Sequence, residues 1–269
     1  MEDLIWLDAV QFADYGGWQV DSQFVLQMGQ SYLIALQKPG FPVADAVTQM
    51  EVAEKGRYRI WVRSRNWIRT AAPGSFTLIV NGQPAGRSFG TAPTEEWIWE
   101  IAGDFDLPDG FCEFRLVDQS GYAARCAALI MTRDFDFTPP QDVSRLQQLR
   151  ARLLGLPTQM QEGGSYAVIV AGGGPGGIPA AVAAARMGQS VLLLQNRPVL
   201  GGNASTEAGV GFDGASSRQP HAREGGIAEE IRRIRDRHDC SWQEALERLV
   251  APEPNLTVLL QELVVDAET

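Results

Sequence analysis

Cysteine and histidine are scarce in this chain, with three and two among 269 residues. Cys112, Cys126 and Cys240 never fall in a C-x-x-C pair, which argues against a thiolate zinc site or a cysteine-ligated iron–sulfur cluster, and no metal site is expected. Cys112 and Cys126 sit in adjacent strand candidates and form either a disulfide or two reduced, buried thiols, the second favoured by a reducing compartment. Basic charge is also short. Lys and Arg total 23 against 33 Asp and Glu, a net of −10. An acidic chain without a basic stripe is repelled by nucleic-acid phosphates and by anionic lipid, so no nucleic-acid or membrane partner is expected. Long apolar runs are missing too, none approaching the ~20 residues that span a bilayer. Met1-Glu2-Asp3-Leu4 lacks the basic and apolar regions of a secretory signal, and as written the chain reads as cytoplasmic. No internal repeat or low-complexity tract is visible.

What is present divides into two grammars. Residues 1–137 read as short strands separated by Gly, Pro, Asn and Asp. Arg57 to Arg63 alternates with period two, placing Tyr58, Ile60 and Val62 on one face and the arginines on the other. Ser75–Val80 ends in Asn81-Gly82, a hairpin signal. Further strands are expected at Ile5–Phe12, Tyr32–Gln37, Ala46–Val52, Trp97–Ile101, Phe111–Val117 and Ala127–Thr132. About eight strands without a convincing helix argue for an antiparallel β-sandwich. Residues 138–165 read as a helical linker: Pro139-Pro140 in the first turn, leucines at helical spacing over Gln141–Leu154, Gly155 beyond the end.

From Tyr166 the pattern becomes strand, turn, helix, strand. Ala167–Val170 is a continuous apolar run, as expected of a strand buried on both faces of a parallel sheet. A helix is expected from Gly176 to Met187 and a second buried strand at Val191–Leu194. Helices over Ile227–Arg237 and Trp242–Val250 follow, the latter opened by Ser241 and Glu244 at capping-box spacing. Thr257–Leu260 and Leu263–Ala267 are expected as the next strands. Residues 166–269 therefore read as an α/β Rossmann-like unit.

Its chemistry lies in Gly172, Gly174 and Gly177, which satisfy G-x-G-x-x-G between the strand and the helix. The first glycine makes the tight turn, the second admits a pyrophosphate to the backbone, and the third lets helix and sheet pack closely. The helix N-terminus adds free N–H groups and the positive end of a dipole, so Pro175 and Gly176 belong to the same phosphate cradle. The glycine pattern is common by chance. Its placement after a strand and within a 30-residue unit is what gives it weight. Where an acidic residue would normally grip the ribose, this chain has Gln195, able to accept a hydrogen bond but without charge, with Asn196 beside it to share the task.

The stretch "QNRPVLGGNAS" (195–205) resembles a large bacterial family of FAD-dependent oxidoreductases within the glutathione-reductase-like flavoproteins. The segments "FADYGGWQVDSQF", "GRYRIWVRSRNW" and "DFTPPQDVSRLQQLRARLLGLP" are similar to that family's N-terminal β-sandwich and hinge. The resemblance implies FAD as cofactor. It places Arg197 beside the adenosine end and the Gly201-Gly202 turn, with Asn203 and Ala204, near the pyrophosphate and ribityl chain. The Leu-Gly-Gly-Asn stretch disfavours an NAD-linked enzyme. "HAREGGIAEEI" (221–231) also resembles a family segment, and His221 is the one candidate proton donor, balanced against an ordinary surface or capping histidine.

Six of the seven tryptophans lie in the first 100 residues, and Trp61, out of phase with Tyr58, Ile60 and Val62, is a candidate sugar-stacking platform. The substrate expected is a small molecule, carbohydrate-related in one reading. The alternative is a non-catalytic carbohydrate-binding or interaction protein with a vestigial nucleotide module. Flavoenzymes of this kind need a further substrate domain and a segment closing over the flavin ring. The chain is therefore expected to be the N-terminal part of a longer enzyme, completed by a C-terminal segment or by association with a second copy.

Overall fold

The computed structural model describes residues 4–157, 161–206, 210–212, 225–264 and 267. Two compact units are present, Met1–Gln159 and Met160–Thr269. The first opens with β1 (Leu4–Asp8), β2 (Trp18–Asp21), the single-turn α1 (Val25–Met28) and β3 (Tyr32–Leu36). β4 (Ala46–Val52), β5 (Gly56–Arg65), β6 (Phe76–Val80) and the two-residue β7 (Gln83–Pro84) follow. β8 (Trp97–Leu107), β9 (Gly110–Asp118), β10 (Tyr122–Thr132) and α2 (Val143–Leu154) complete it.

These strands form an antiparallel sandwich. One sheet runs β2-β3-β10-β5-β8, with β1 also paired to β10; the other runs β4-β9-β6-β7. Alternation decides which side chains enter the core. Tyr58, Ile60 and Val62 of β5 meet Leu78 and Val80 of β6 and Phe114 and Leu116 of β9 between the sheets. Asn81 and Gly82 both take positive φ, 46° and 78°, the backbone of a two-residue hairpin turn, and join β6 to β7. Cys112 and Cys126 are free, buried thiols on strands of different sheets.

The outer face of the first sheet departs from expectation. It is covered rather than open. β10 is buried along nearly its whole length, because Ala127 and Ala128 lack the bulk to hold other groups away. Phe24 and Met28 pack at Ala127, and Leu146 and Leu149 of α2 pack at Ala128 with Trp6, Trp99 and Ile130. Trp61 packs against that second cluster and is only partly exposed, so it is not the open platform that its place on the arginine-bearing face suggested. Helix α2 itself begins later than Pro139-Pro140: Asp142 is its N-cap, accepting from the Arg145 N–H at 2.9 Å. Gly155 ends it in the left-handed conformation.

The second unit contains β11 (Val168–Ala171), α3 (Gly177–Arg186), β12 (Val191–Gln195), α4 (Gly226–His238), α5 (Trp242–Val250) and β13 (Leu256–Leu260). The strands are parallel in the order β11-β12-β13. With its helices, this sheet is the incomplete Rossmann-like unit expected from residue 166 onward. Ser241 and Glu244 form the capping box that starts α5. Ile178, Val182, Leu193, Ile231 and Leu246 form the core between sheet and helices.

Two expectations fail here. Ala167–Val170 is not buried on both faces, since Ile169 is 42% exposed while Val168 and Val170 face the core. The helix side chains of this core pack with Val168, Val170, Val191 and Leu193, which share one face of the sheet. Leu263–Ala267 is not a strand over its described residues. Gln261 takes φ 62° and breaks the extended run, and the Glu262 N–H turns to the Gln195 carbonyl at 3.1 Å. Among the described residues no helix is long and apolar enough to cross a membrane.

Candidate functional site

The candidate site is built where β11 hands over to α3. Gly172, at φ 114°, extends the ladder by donating its N–H to the Leu194 carbonyl at 2.8 Å. The Gly173 N–H donates to Gln195 Oε1 at 2.9 Å, and its carbonyl accepts from the Gly201 N–H at 2.7 Å. At Gly177 the packing leaves no choice of residue: a Cβ there would lie 1.9 Å from the Gly172 carbonyl oxygen. That glycine lets α3 start directly against the turn.

Gly174 and Gly176 are different. A Cβ at either position would meet nothing within 4 Å, so no neighbouring group demands glycine there. The backbone N–H groups of Gly174, Gly176 and Gly177 have no acceptor among the described residues. They cluster at the start of a ten-residue helix with no acidic side chain in its first turn, where the helix dipole is positive. Unpaired amides, open space and a positive potential suit a diphosphate.

The second glycine turn lies against the first. Gly201 and Gly202 take φ 114° and 55°, and a Cβ on Gly202 would sit 3.2 Å from the Gly174 Cα. Pro175 is exposed on the rim. Gln195 is only 5% exposed, and its amide is engaged at both ends, the oxygen by Gly173 and the nitrogen donating to the Val199 carbonyl at 3.2 Å. Gln195 thus ties the two turns together. Asn196 is exposed beside it and Arg197 partly so. Asn203 is exposed, and its carbonyl accepts from the Val210 N–H at 2.8 Å. Ala204 is buried in the core of the unit. His221 lies outside the described residues. Among the described residues no three His, Cys, Asp or Glu side chains are placed to hold a metal ion.

Residues 167–269 match the family model of the FAD dependent oxidoreductases. The matched segment holds both glycine turns and Gln195. No curated protein matches the chain. Among solved structures, it is similar to a family 35 carbohydrate binding module from Clostridium thermocellum, at 18% identity over 47% of this chain and 97% of that one, with a TM-score of 0.37. It is similar also to the C-terminal CBM6 of LamC, a marine laminarinase from Zobellia galactanivorans, at 14% identity over 49% of this chain and all of that one, with a TM-score of 0.37. A Podospora anserina β-(1,4)-mannanase is similar at 14% identity, covering 97% of this chain and 65% of that one, with a TM-score of 0.39.

Sequence reasoning passed over Gly173 and Leu200. A Cβ on Gly173 would lie 2.6 Å from Leu200 Cδ2, so the two turns meet through that pair. A run of three glycines gives no sign of which one is pressed against a side chain.

Away from the turns, Arg186 at the last turn of α3 donates to both oxygens of Glu230, at 2.6 and 2.8 Å, and to Glu253 at 2.6 Å. The guanidinium holds the Glu230 carboxyl below the usual carboxylate range. This contact fixes α3 against α4.

Proposed function

We propose that the second unit binds the ADP part of FAD, with its pyrophosphate at the N-terminus of α3. The observation that carries this reading is the set of three unpaired N–H groups, from Gly174, Gly176 and Gly177, at a helix start with open space before it. The family match over residues 167–269 supports the same cofactor. The three amides would donate to the pyrophosphate oxygens. Gln195 would hold the two turns in register rather than grip the ribose, since its amide is already engaged. Asn196, exposed at the end of β12, would take the ribose hydroxyls, with Arg197 at the adenosine end. Gly201, Gly202 and Asn203 would line the far side of the pyrophosphate. When bound, the flavin supplies two-electron oxidation or reduction, while the chain's part is binding and orientation.

The test is calorimetric titration of the chain with ADP, FAD and NAD, alongside Gly176→Ala. The methyl group enters open space, so the fold is unchanged, but it intrudes where the diphosphate would lie. We expect ADP and FAD to bind in preference to NAD, and the variant to bind them about tenfold or more weakly, a loss of ~1.4 kcal/mol. Failure of the native chain to bind either nucleotide, or equal affinity in the variant, would refute the assignment.

A further inference from the structure

The second unit has no acidic residue where its chemistry calls for one. No Asp or Glu occurs from Gly163 to Thr206, a stretch that spans β11, both glycine turns, α3 and β12. A Rossmann-like unit ordinarily sets a carboxylate about 20 residues beyond the glycines, where it accepts from the ribose hydroxyls. Here that place holds Gln195, whose amide is engaged by Gly173 and Val199, and the neutral Asn196.

A carboxylate reaches the same place from another strand. β13 runs parallel to β12 with Leu260 in register with Gln195. Both strands therefore finish at the same end of the sheet, the end outside which such units bind their ligands. An extended chain would carry the next residues onward past that end. Instead Gln261 takes φ 62°, a left-handed backbone that costs a residue with a Cβ some strain, and the chain turns across the exit of β12. Two hydrogen bonds hold this corner. The Gln261 N–H donates to the Arg197 carbonyl at 3.2 Å, and the Glu262 N–H to the Gln195 carbonyl at 3.1 Å. Glu262 is thereby tied to the backbone of the residue that stands where the acid is missing. Its side chain is exposed, and among the described residues its carboxylate has no hydrogen bond or ion pair.

We propose that Glu262 is the ribose-binding carboxylate of this unit, supplied by the corner after β13 in place of an acid at the end of β12. This role presupposes that the second unit binds the ADP part of FAD, and adds the charged group that selects the sugar. A carboxylate offers two acceptor oxygens and no donor, which suits the two vicinal hydroxyls of an unmodified ribose. Its charge makes each such hydrogen bond roughly twice as strong as one to a neutral acceptor. Asn196, exposed beside it, is the neutral partner on the same ribose.

The test is calorimetric titration of the full chain, native and Glu262→Ala, with ADP and with 2′,3′-dideoxy-ADP. The native chain should bind ADP about tenfold more tightly than the dideoxy nucleotide, as expected of hydrogen bonds to a charged group. In Glu262→Ala that preference should collapse. ADP should bind more weakly, while the dideoxy nucleotide binds as before or more tightly, because the carboxylate no longer opposes its phosphates. A merely structural role at the corner would weaken both nucleotides alike and keep the preference. Equal affinity of the native chain for the two nucleotides, or a preference kept in the variant, would overturn the role of Glu262 and leave the ADP reading standing. A native chain that binds neither nucleotide refutes the ADP reading, and this role with it.

Discussion

Gly176 and Gly177 are neighbours with opposite tolerance for a side chain. Gly177→Ala would push a methyl group to 1.9 Å from a backbone oxygen, which no rotamer relieves. The turn or the first residues of α3 must move. We expect the second unit to lose about 3 kcal/mol, at the upper end of overpacking costs, read as a shift of its urea midpoint, with nucleotide binding lost as well. The buried thiols give a pH signature. Burial pushes Cys112 up to about 11 and Cys126 upward as well, whereas an unfolded thiol titrates near ~8.5. In between, only the unfolded chain releases protons, so stability is fully present below the unfolded value and is lost as pH rises towards the folded one. The loss should be about 1.4 kcal/mol per pH unit per thiol. Urea midpoints from pH 7 to 10 would fall steeply in the native chain and more shallowly in Cys112→Ala.

Among the elements, α2 shows how much the sequence discloses and where it stops. Leucines at helical spacing announce the helix, and Gly155 its end. What those leucines pack on depends on Ala128 and on Trp6 and Trp99, residues distant in sequence that no local period connects. The docking is fixed by Arg150, whose Nη2 lies 2.6 Å from Oδ2 of Asp8, a carboxylate 1% exposed that also accepts from the Trp6 indole N–H at 2.7 Å. Arg150→Met leaves that carboxylate buried without its cation and should cost the first unit about 3–5 kcal/mol. Limited proteolysis should then cut within residues 143–154 and spare them in the native chain. The same contrast runs through the strands. β5 was legible because its inner face is apolar while arginines occupy the other. β2 escaped notice because Trp18–Asp21 is four residues behind a Gly16-Gly17 turn, too short to show alternation. At the candidate site the glycine spacing was legible because backbone approach demands glycine. The bridging role of Gln195 was not, because it depends on which way a side chain turns in space.

At the scale of the whole molecule, each unit has its own apolar core, one between the two sandwich sheets and one between the parallel sheet and its helices. Each therefore has the means to unfold cooperatively by itself. The aromatic residues are distributed unevenly: six of the seven tryptophans belong to residues 1–100 and only Trp242 to the second unit. Tryptophan emission thus reports mainly the sandwich, while far-UV circular dichroism at the helical bands weights α3, α4 and α5. We expect the two signals to give separate transitions in urea. A ligand that binds only the native second unit stabilises it by RT ln(1 + [L]/Kd), about 2.7 kcal/mol at a hundredfold excess over Kd. Saturating FAD should therefore raise the midpoint seen by circular dichroism and leave the tryptophan midpoint in place. A shift of both midpoints by FAD would contradict the assignment of the nucleotide site to the second unit.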